Sequence, residues 1–521
     1  MKVLLQNGLI YDGTKNPPFN GDIYIENDII KEIGTNLNIN TDKVIDCSNL
    51  VISPGFIDAH SHNDFFATNE DYTIPFLKQG ITTQIVGNCG FSAYGTDPKS
   101  PYNNSIGGGL FSTNNPGSLN DYSNKVRGQL IQNIVPLVGH GTTRISVNGM
   151  SPHKLTLEQR QQQLKLLEEN LQQGAFGGSF GFMYQPGMYA PTEEIVEWAK
   201  VIKKYDGIVT VHPRANSKIA LGYPLLSFTP HLEQGLNEVI KIMEETNVRV
   251  EYSHLIFVGE SSWKSVKPML NKFKEYRAKG YEIAYDIYPF TYGASVITVI
   301  LPGWYLKLSP EEKQKKSTKL KLKLIINITK KLLGIDFNDL VISYIGPDYP
   351  KYEGKNVAEI AAEEGLKPID MYIKLVDLSN GQGRIMLGKY YNEQIIKTLM
   401  EDEISIYMTD AWYEPSGSQN AGTFQAFPFF LQKTKTYGIP LENTIHKMTG
   451  ATVDRFHIKN RGYLKKDYAA DITIFDYDDI NINFTNPSST PTGIKYVFVN
   501  GELVLEANNY KNIKAGKLLR K

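Results

Sequence analysis

The chain has 521 residues, of which 41% are hydrophobic and 21% charged, and its 55 Lys plus Arg are balanced by 55 Asp plus Glu. That composition excludes a disordered, collagen-like or membrane-bundle protein, and a net charge of zero supplies no global field to hold a nucleic acid or the anionic face of a membrane. Two cysteines, Cys47 and Cys89, offer no disulfide framework, the opening MKVLLQNGLIYDG lacks the apolar core of a signal peptide, and the apolar stretch around Ala294 to Leu301 cannot span a bilayer, so a soluble cytoplasmic protein is expected.

The first fifty residues read as short strands, Val3 to Leu5, Asp22 to Glu26 and Ile29 to Ile33, separated by the turn signals Asn7-Gly8, Asp12-Gly13 and Asn27-Asp28. The last sixty repeat that texture with Ile472 to Phe475, Lys495 to Val499, and an Asn500-Gly501 turn before Leu503 to Leu505. Neither end can bury a core alone, so residues 1–54 and 458–521 are expected to form one small β-sandwich domain around a barrel of residues 55–457.

Between the ends, eight short apolar runs finish in polar residues: Gly55 to His60, Thr82 to Val86, Ile134 to Val138, Gly178 to Phe182, Ile208 to His212, Arg249 to His254, Glu282 to Asp286 and Ile404 to Asp410. Helical periodicity separates them, most plainly over Leu157 to Leu171, Glu193 to Tyr205 and Leu232 to Glu245. Eight strands alternating with helices predict a parallel (β/α)8 TIM-type barrel, with an open doubly wound sheet as the alternative. The gap from Asp286 to Ile404 exceeds one crossover and predicts an inserted lid subdomain over about residues 290–400. Inside it, Pro310 to Leu333 is strongly cationic and reads either as a solvated helix face or as a surface for a membrane or an acidic partner.

The histidines carry the chemistry. His60 and His62 form a His-x-His pair at the end of the first barrel strand, where residues i and i+2 point to the same side. His212 ends the fifth strand, His254 the sixth and Asp410 the eighth, and Cys89 follows the second. A barrel brings all strand carboxyl ends to one mouth, so these six groups should converge, and imidazole, thiolate and carboxylate together suit a zinc-type ion. His140, after the third strand, reads either as a group at that mouth or as packing.

The motifs Pro54-Gly55-Phe56-Ile57-Asp58-Ala59-His60-Ser61-His62, Val86-Gly87-Asn88-Cys89-Gly90, Val138-Gly139-His140-Gly141, Val211-His212-Pro213-Arg214, Tyr252-Ser253-His254, Asp286-Ile287-Tyr288-Pro289 and Thr409-Asp410 follow one another along the chain. In that order they resemble the amidohydrolase superfamily, and within it the N-acyl-D-amino-acid deacylases, or D-aminoacylases. Gly-Asn-Cys-Gly is the discriminating element, because this subfamily is known for a bridging cysteine from strand two, and strand four here, Gly177 to Phe182, offers neither lysine nor glutamate.

The resemblance implies a tightly held zinc on Cys89, His212 and His254, and a second, looser position on His60 and His62 that shares Cys89. It also implies that Asp410 is the general base toward a water activated on the metal, with a small-molecule N-acyl substrate. Arg214 matches the family pattern and is expected either to bind a substrate carboxylate or to pair with an acidic neighbour, and Tyr288 and Ser295 approximate a further substrate-contacting pair. Two departures bear on substrate. Deacylases of this family usually carry a lysine where this chain has Ile256, and a His-Pro-Arg segment that is missing between Asp410 and Gly422. A cyclic amidase of the hydantoinase or dihydropyrimidinase kind, or a small dipeptidase, is the alternative enzyme. A non-catalytic relative would be expected to have lost ligands, and all of these positions are filled.

Overall fold

The computed structural model describes residues 2–105, 117–220, 223, 227–411, 413–414 and 416–521; Trp412 and Pro415 of the segment after Asp410 lie outside them. Eight short strands, Phe56–Asp58, Ile81–Val86, Asn133–Gly139, Gly177–Gly181, Ile208–His212, Arg249–Tyr252, Ile283–Ile287 and Ser405–Tyr407, pair in chain order, every pair parallel. The two ends of this sheet meet. Ser61 bridges Ala411, and the Ala59 N–H donates to the Tyr407 carbonyl at 3.3 Å, so the sheet closes into the expected barrel. Strands covered on both faces have no polar side to present, which is why Ile81–Val86, Asn133–Gly139 and Ile208–His212 are buried at every residue.

The three helices expected from periodicity occur as Leu157–Gln172, Thr192–Lys204 and His231–Thr246. The first opens on a reciprocal cap, with the Thr156 hydroxyl accepting from the Gln159 N–H while the Gln159 side chain accepts from the Thr156 N–H. Leu166, Leu167 and Leu171 of that helix are buried, whereas Leu157 sits in the overhanging first turn and is exposed. In the second, Trp198 is fully buried on the barrel wall. Its indole lies against the fourth strand so closely that a Cβ at Gly178 would fall 2.2 Å from the ring. An aromatic of this size removes about 150–250 Å² from water, roughly 4–6 kcal/mol of gross stabilisation before entropy.

Both chain ends enter one nine-stranded sheet, joined where Val51–Pro54 pairs antiparallel with Ile472–Phe475. Ile23, Ile25, Ile52, Ile472 and Phe498 share its core, and Cys47 is buried there. Three strands of this domain, Lys43–Asp46, Val51–Pro54 and Asn509–Tyr510, were not expected from the sequence, because so few residues give too few alternations to show a period. The insertion consists of a three-stranded sheet, Gly293–Val296, Arg384–Leu387 and Leu340–Tyr344, with helices that include Lys316–Leu333 and Pro368–Leu378. It walls a cavity of about 880 Å³ whose floor is the barrel mouth. Among the described residues, no helix is long and apolar enough to cross a membrane.

Candidate metal centre

The six groups singled out in the sequence meet at the carboxyl end of the barrel. The Cys89 sulfur lies 3.3 Å from His60 Nε2, 3.5 Å from His212 Nδ1 and 3.5 Å from His254 Nε2. Ligand atoms of His60, Cys89, His254 and Asp410 all lie within 4.8 Å of one another. Asp410 Oδ1 is 3.4 Å from His60 Nε2 and 3.6 Å from His62 Nε2. Its side chain keeps 22% of its surface exposed, whereas His60 and His62 are closed off, and Asp410 lines the cavity together with His212 and His254.

Three of these residues stand in backbone conformations that side chains with a Cβ rarely adopt: Cys89 at φ 50°, His254 at φ 34° and Asp410 at φ 46°. Such conformations persist only where the surroundings over-determine them, and they gather at functional sites. The surroundings of Cys89 are visible. Ser179 on the fourth strand accepts from the Gly90 N–H at 2.9 Å and donates to the Gly87 carbonyl at 2.5 Å, which pins the loop on either side of Cys89. Asn88 accepts from Thr210 Oγ1 at 2.9 Å. Gly181 of the fourth strand leaves room for this loop, since a Cβ there would sit 2.0 Å from the Cys89 carbonyl oxygen.

Two buried carboxylates back the ligands. Asp286 Oδ2 is 3.6 Å from His60 Nδ1, and its other oxygen accepts from the His254 N–H. Asp58 accepts from the His60 N–H at 3.2 Å and from the Thr409 N–H and hydroxyl at 2.9 and 2.6 Å, which ties the first strand to the residue before Asp410. His212 presents its remaining ring nitrogen to Asn216 Nδ2 at 3.4 Å. Outer partners of this kind fix ring orientation in metal sites.

The electrostatics suit a cation. Burial pushes His60 down to about 3 and also lowers His212 and His254, so these imidazoles are neutral at pH 7, the form that ligates. Burial raises the Cys89 thiol well above its usual range, a cost that a metal ion reverses, since a coordinated thiol loses its proton. Burial alone would raise Asp410, but His254, His62 and His60 together hold it below the ordinary carboxylate range. With zinc–sulfur and zinc–nitrogen bonds of about 2.3 and 2.0–2.1 Å, a tetrahedral shell has sulfur-to-nitrogen edges of about 3.5 Å, and the three edges at Cys89 measure 3.3, 3.5 and 3.5 Å. The donor set fits a metal of that kind.

The residues expected to touch substrate fall in different places. Ser295 lines the cavity. Arg214 reaches its wall, but its guanidinium is occupied: Nε and Nη2 donate to Glu238 at 2.9 and 3.0 Å, Nη1 to the Met188 carbonyl at 3.0 Å, and Nη2 also to the Ala190 carbonyl at 3.2 Å. Tyr288 donates to Asn420 Oδ1 at 2.5 Å and is buried beneath the wall. His140 starts the helix His140–Asn148, where its Nε2 meets Glu194 Oε1 at 3.0 Å, and Glu194 also accepts from Arg144 Nε at 3.1 Å. The packing alternative fits that buried triad. Sequence reasoning gave no role to Asp58, Asp286 or Ser179. Asp58 had a signal, standing two residues before His60 on the same side of the strand, and Asp286 ends the seventh strand. Ser179 had none, because its partners lie about ninety residues away.

A barrel whose strand ends bring such donors to one mouth defines a metal-dependent hydrolase of the amidohydrolase superfamily. No protein-family model matches the chain. It is 26% identical to a D-aminoacylase of Alcaligenes xylosoxydans xylosoxydans over 99% of this chain and 97% of that protein, and 24% identical to an N-acyl-D-aspartate deacylase of the same organism over 99% and 94%. A solved D-aminoacylase, studied for its binuclear metal centre with one-metal activation and second-metal attenuation, superposes with a TM-score of 0.83 at 25% identity, covering 100% of this chain and 99% of that one. Over nearly its full length the chain is thus similar to the D-aminoacylases and N-acyl-D-amino-acid deacylases of that superfamily.

Proposed function

We propose that the protein is a zinc-dependent deacylase that hydrolyses the amide bond of N-acyl-D-amino acids or related D-configured N-acyl compounds. The observation that carries this reading is the cluster of Cys89 with His60, His212 and His254 at tetrahedral edge lengths, beside a carboxylate that faces the cavity. The tight position is assigned to Cys89, His212 and His254, because thiolate with two imidazoles is a softer shell than the pair His60 and His62, which with Cys89 forms the weaker second position. A bound metal supplies a water of lowered pKa, near 7, and polarises the amide carbonyl. Asp410, a carboxylate that lines the cavity beside the imidazoles, takes the proton from the attacking water and passes it to the leaving amine. Asp286 backs two of the ligands, standing 3.6 Å from His60 Nδ1 and accepting from the His254 N–H. A reducing, cytoplasmic setting suits the site, since the Cys89 thiol must stay reduced to ligate.

A second reading, a cyclic amidase or small dipeptidase, is favoured by the shortage of free cations near the metal. Ile256 lines the cavity where the family usually has lysine, and Arg214 is paired with Glu238. Of the other cavity cations among the described residues, Lys330 pairs with Asp336, while Lys307 and Lys313 rest over the rings of Tyr189 and Tyr305 on the insertion side.

The test is a panel of N-acetyl-D-amino acids, their L enantiomers, a hydantoin, a dihydropyrimidine and a D-configured dipeptide, assayed by amine or acid release with zinc-loaded protein. Preferential turnover of the D-acyl compounds is expected, and Cys89→Ala should lose both metal and activity. Turnover confined to the cyclic amides or the dipeptide would replace the first reading with the second.

A further inference from the structure

The net charge of zero conceals a local imbalance. Between Glu312 and Asp336 the chain carries eight lysines and no acidic residue. Most of this segment is the helix Lys316–Leu333, the longest in the insertion. Its inner side, Leu322, Ile326, Thr329 and Leu333, is buried against the insertion and contributes to the cavity wall. Its outer side is not covered. Leu320, Leu324, Ile328 and Leu332 are 71, 61, 48 and 53% exposed, and their four-residue spacing aligns them in one ridge along the helix. Scattered exposed leucines are ordinary, whereas a contiguous apolar ridge on a surface helix marks a contact.

Cationic groups frame that ridge. Lys316, Lys321 and Lys331 are exposed beside it. Lys323 and Lys330 are tied to Asp370 and Asp336, and Lys321 lies 4.5 Å over the ring of Trp304, while Lys316, Lys319 and Lys331 make no ion pair among the described residues. A second copy packed ridge to ridge would set lysines against lysines, an arrangement that like charges oppose. A surface that takes up apolar side chains and presents negative charge around them satisfies both features. An anionic lipid bilayer does so, with the leucines entering the boundary between headgroups and acyl chains and the lysines meeting the headgroups.

We propose that the helix Lys316–Leu333 is an interfacial docking element that seats the protein on an anionic membrane surface through Leu320, Leu324, Ile328 and Leu332 with their flanking lysines. The docking lies parallel to the surface and spans nothing. It is independent of the reaction assigned to the metal centre, because none of the four ridge residues lines the cavity.

The test is co-sedimentation of the full-length, zinc-loaded protein with vesicles of neutral phosphatidylcholine, and with vesicles in which about a third of the lipid is phosphatidylglycerol. Half-binding to the anionic vesicles is expected at a lipid concentration lower by about tenfold or more than for the neutral ones, and the difference should shrink as salt is raised. The variant carrying Leu320→Ser, Leu324→Ser, Ile328→Ser and Leu332→Ser should lose binding by tenfold or more while keeping the wild-type thermal midpoint and cavity activity. Should that variant fail to fold, Lys316→Glu with Lys331→Glu addresses the same face and should also release the protein from anionic vesicles. Wild-type protein that stays in the supernatant with both lipids overturns the proposal, and so do variants that sediment as well as wild type. Analytical ultracentrifugation showing a dimer that the four serines dissociate would assign the ridge to a second copy of the chain.

Discussion

Replacing Ser179 by alanine tests whether the fourth strand acts as the latch of the metal site. The Ser179 side chain is fully buried, and its hydroxyl closes two bonds to the loop that carries Cys89, accepting from Gly90 N–H and donating to Gly87 carbonyl oxygen. Removal leaves one donor and one acceptor unmatched in a buried place, at about 1–3 kcal/mol each, so with partial relaxation the expected loss of stability is about 2–4 kcal/mol. The same change should reach the metal. Cys89 holds a left-handed backbone, a conformation that costs about 1–3 kcal/mol and that a freed loop will tend to leave. Loss of an outer partner typically lowers metal affinity by roughly 10- to 100-fold, and a fall in that range is expected here. The assay is zinc competition against a chelator of known affinity, with the thermal midpoint of the metal-free protein measured in parallel. A Ser179→Ala protein that binds zinc within about twofold of wild type, at an unchanged midpoint, would refute the latch.

Asp410→Asn should lower kcat by roughly 10²- to 10⁴-fold while zinc stays bound, as expected for loss of a positioned proton carrier, and inactivity that arises only through metal loss would count against that role. With its guanidinium bound to Glu238 and two carbonyls, Arg214 is expected to shape the cavity wall, so Arg214→Lys should depress turnover of an N-acyl-D-amino acid and of its neutral amide alike. A KM increase of tenfold or more confined to the carboxylate substrate, about 1.5–3 kcal/mol, would instead make Arg214 its anchor. Acid should weaken the insertion through Glu364, whose carboxyl is held down to about 2, first by the hydrogen bond from Lys351 and then by those from Lys374 and Tyr352. Because its folded value lies below the unfolded value of 4.5, its contribution is complete above that pH and disappears as pH falls from 4.5 toward 2. Glu364→Gln should flatten the acid limb of a circular-dichroism unfolding titration in that window, and an unchanged limb would show that the cluster contributes nothing.

The sequence by itself determined the barrel, its eight strand positions, and the identity of the six groups at its mouth. The reason is local. Strand and helix periods follow from backbone geometry, so apolar runs of five residues and helical stripes such as Leu157 to Leu171 are readable without knowing their neighbours. Closure of eight parallel strands then brings His60, His62, Cys89, His212, His254 and Asp410 together, because strand carboxyl ends in a barrel have only one place to go. Which groups are already engaged could not be read that way. Arg214 meets Glu238 and His140 meets Glu194 because a particular helix lies against a particular strand, and Ser179 latches Cys89 across about ninety residues. The segment from Pro310 to Leu333 makes the same point from outside. Its composition favoured a solvated face over a docking face, and only the burial of Leu322, Ile326 and Leu333 showed which side of the helix the insertion covers and which apolar ridge it leaves bare. Pairing and burial depend on packing between elements far apart in the chain, and no local period encodes that packing.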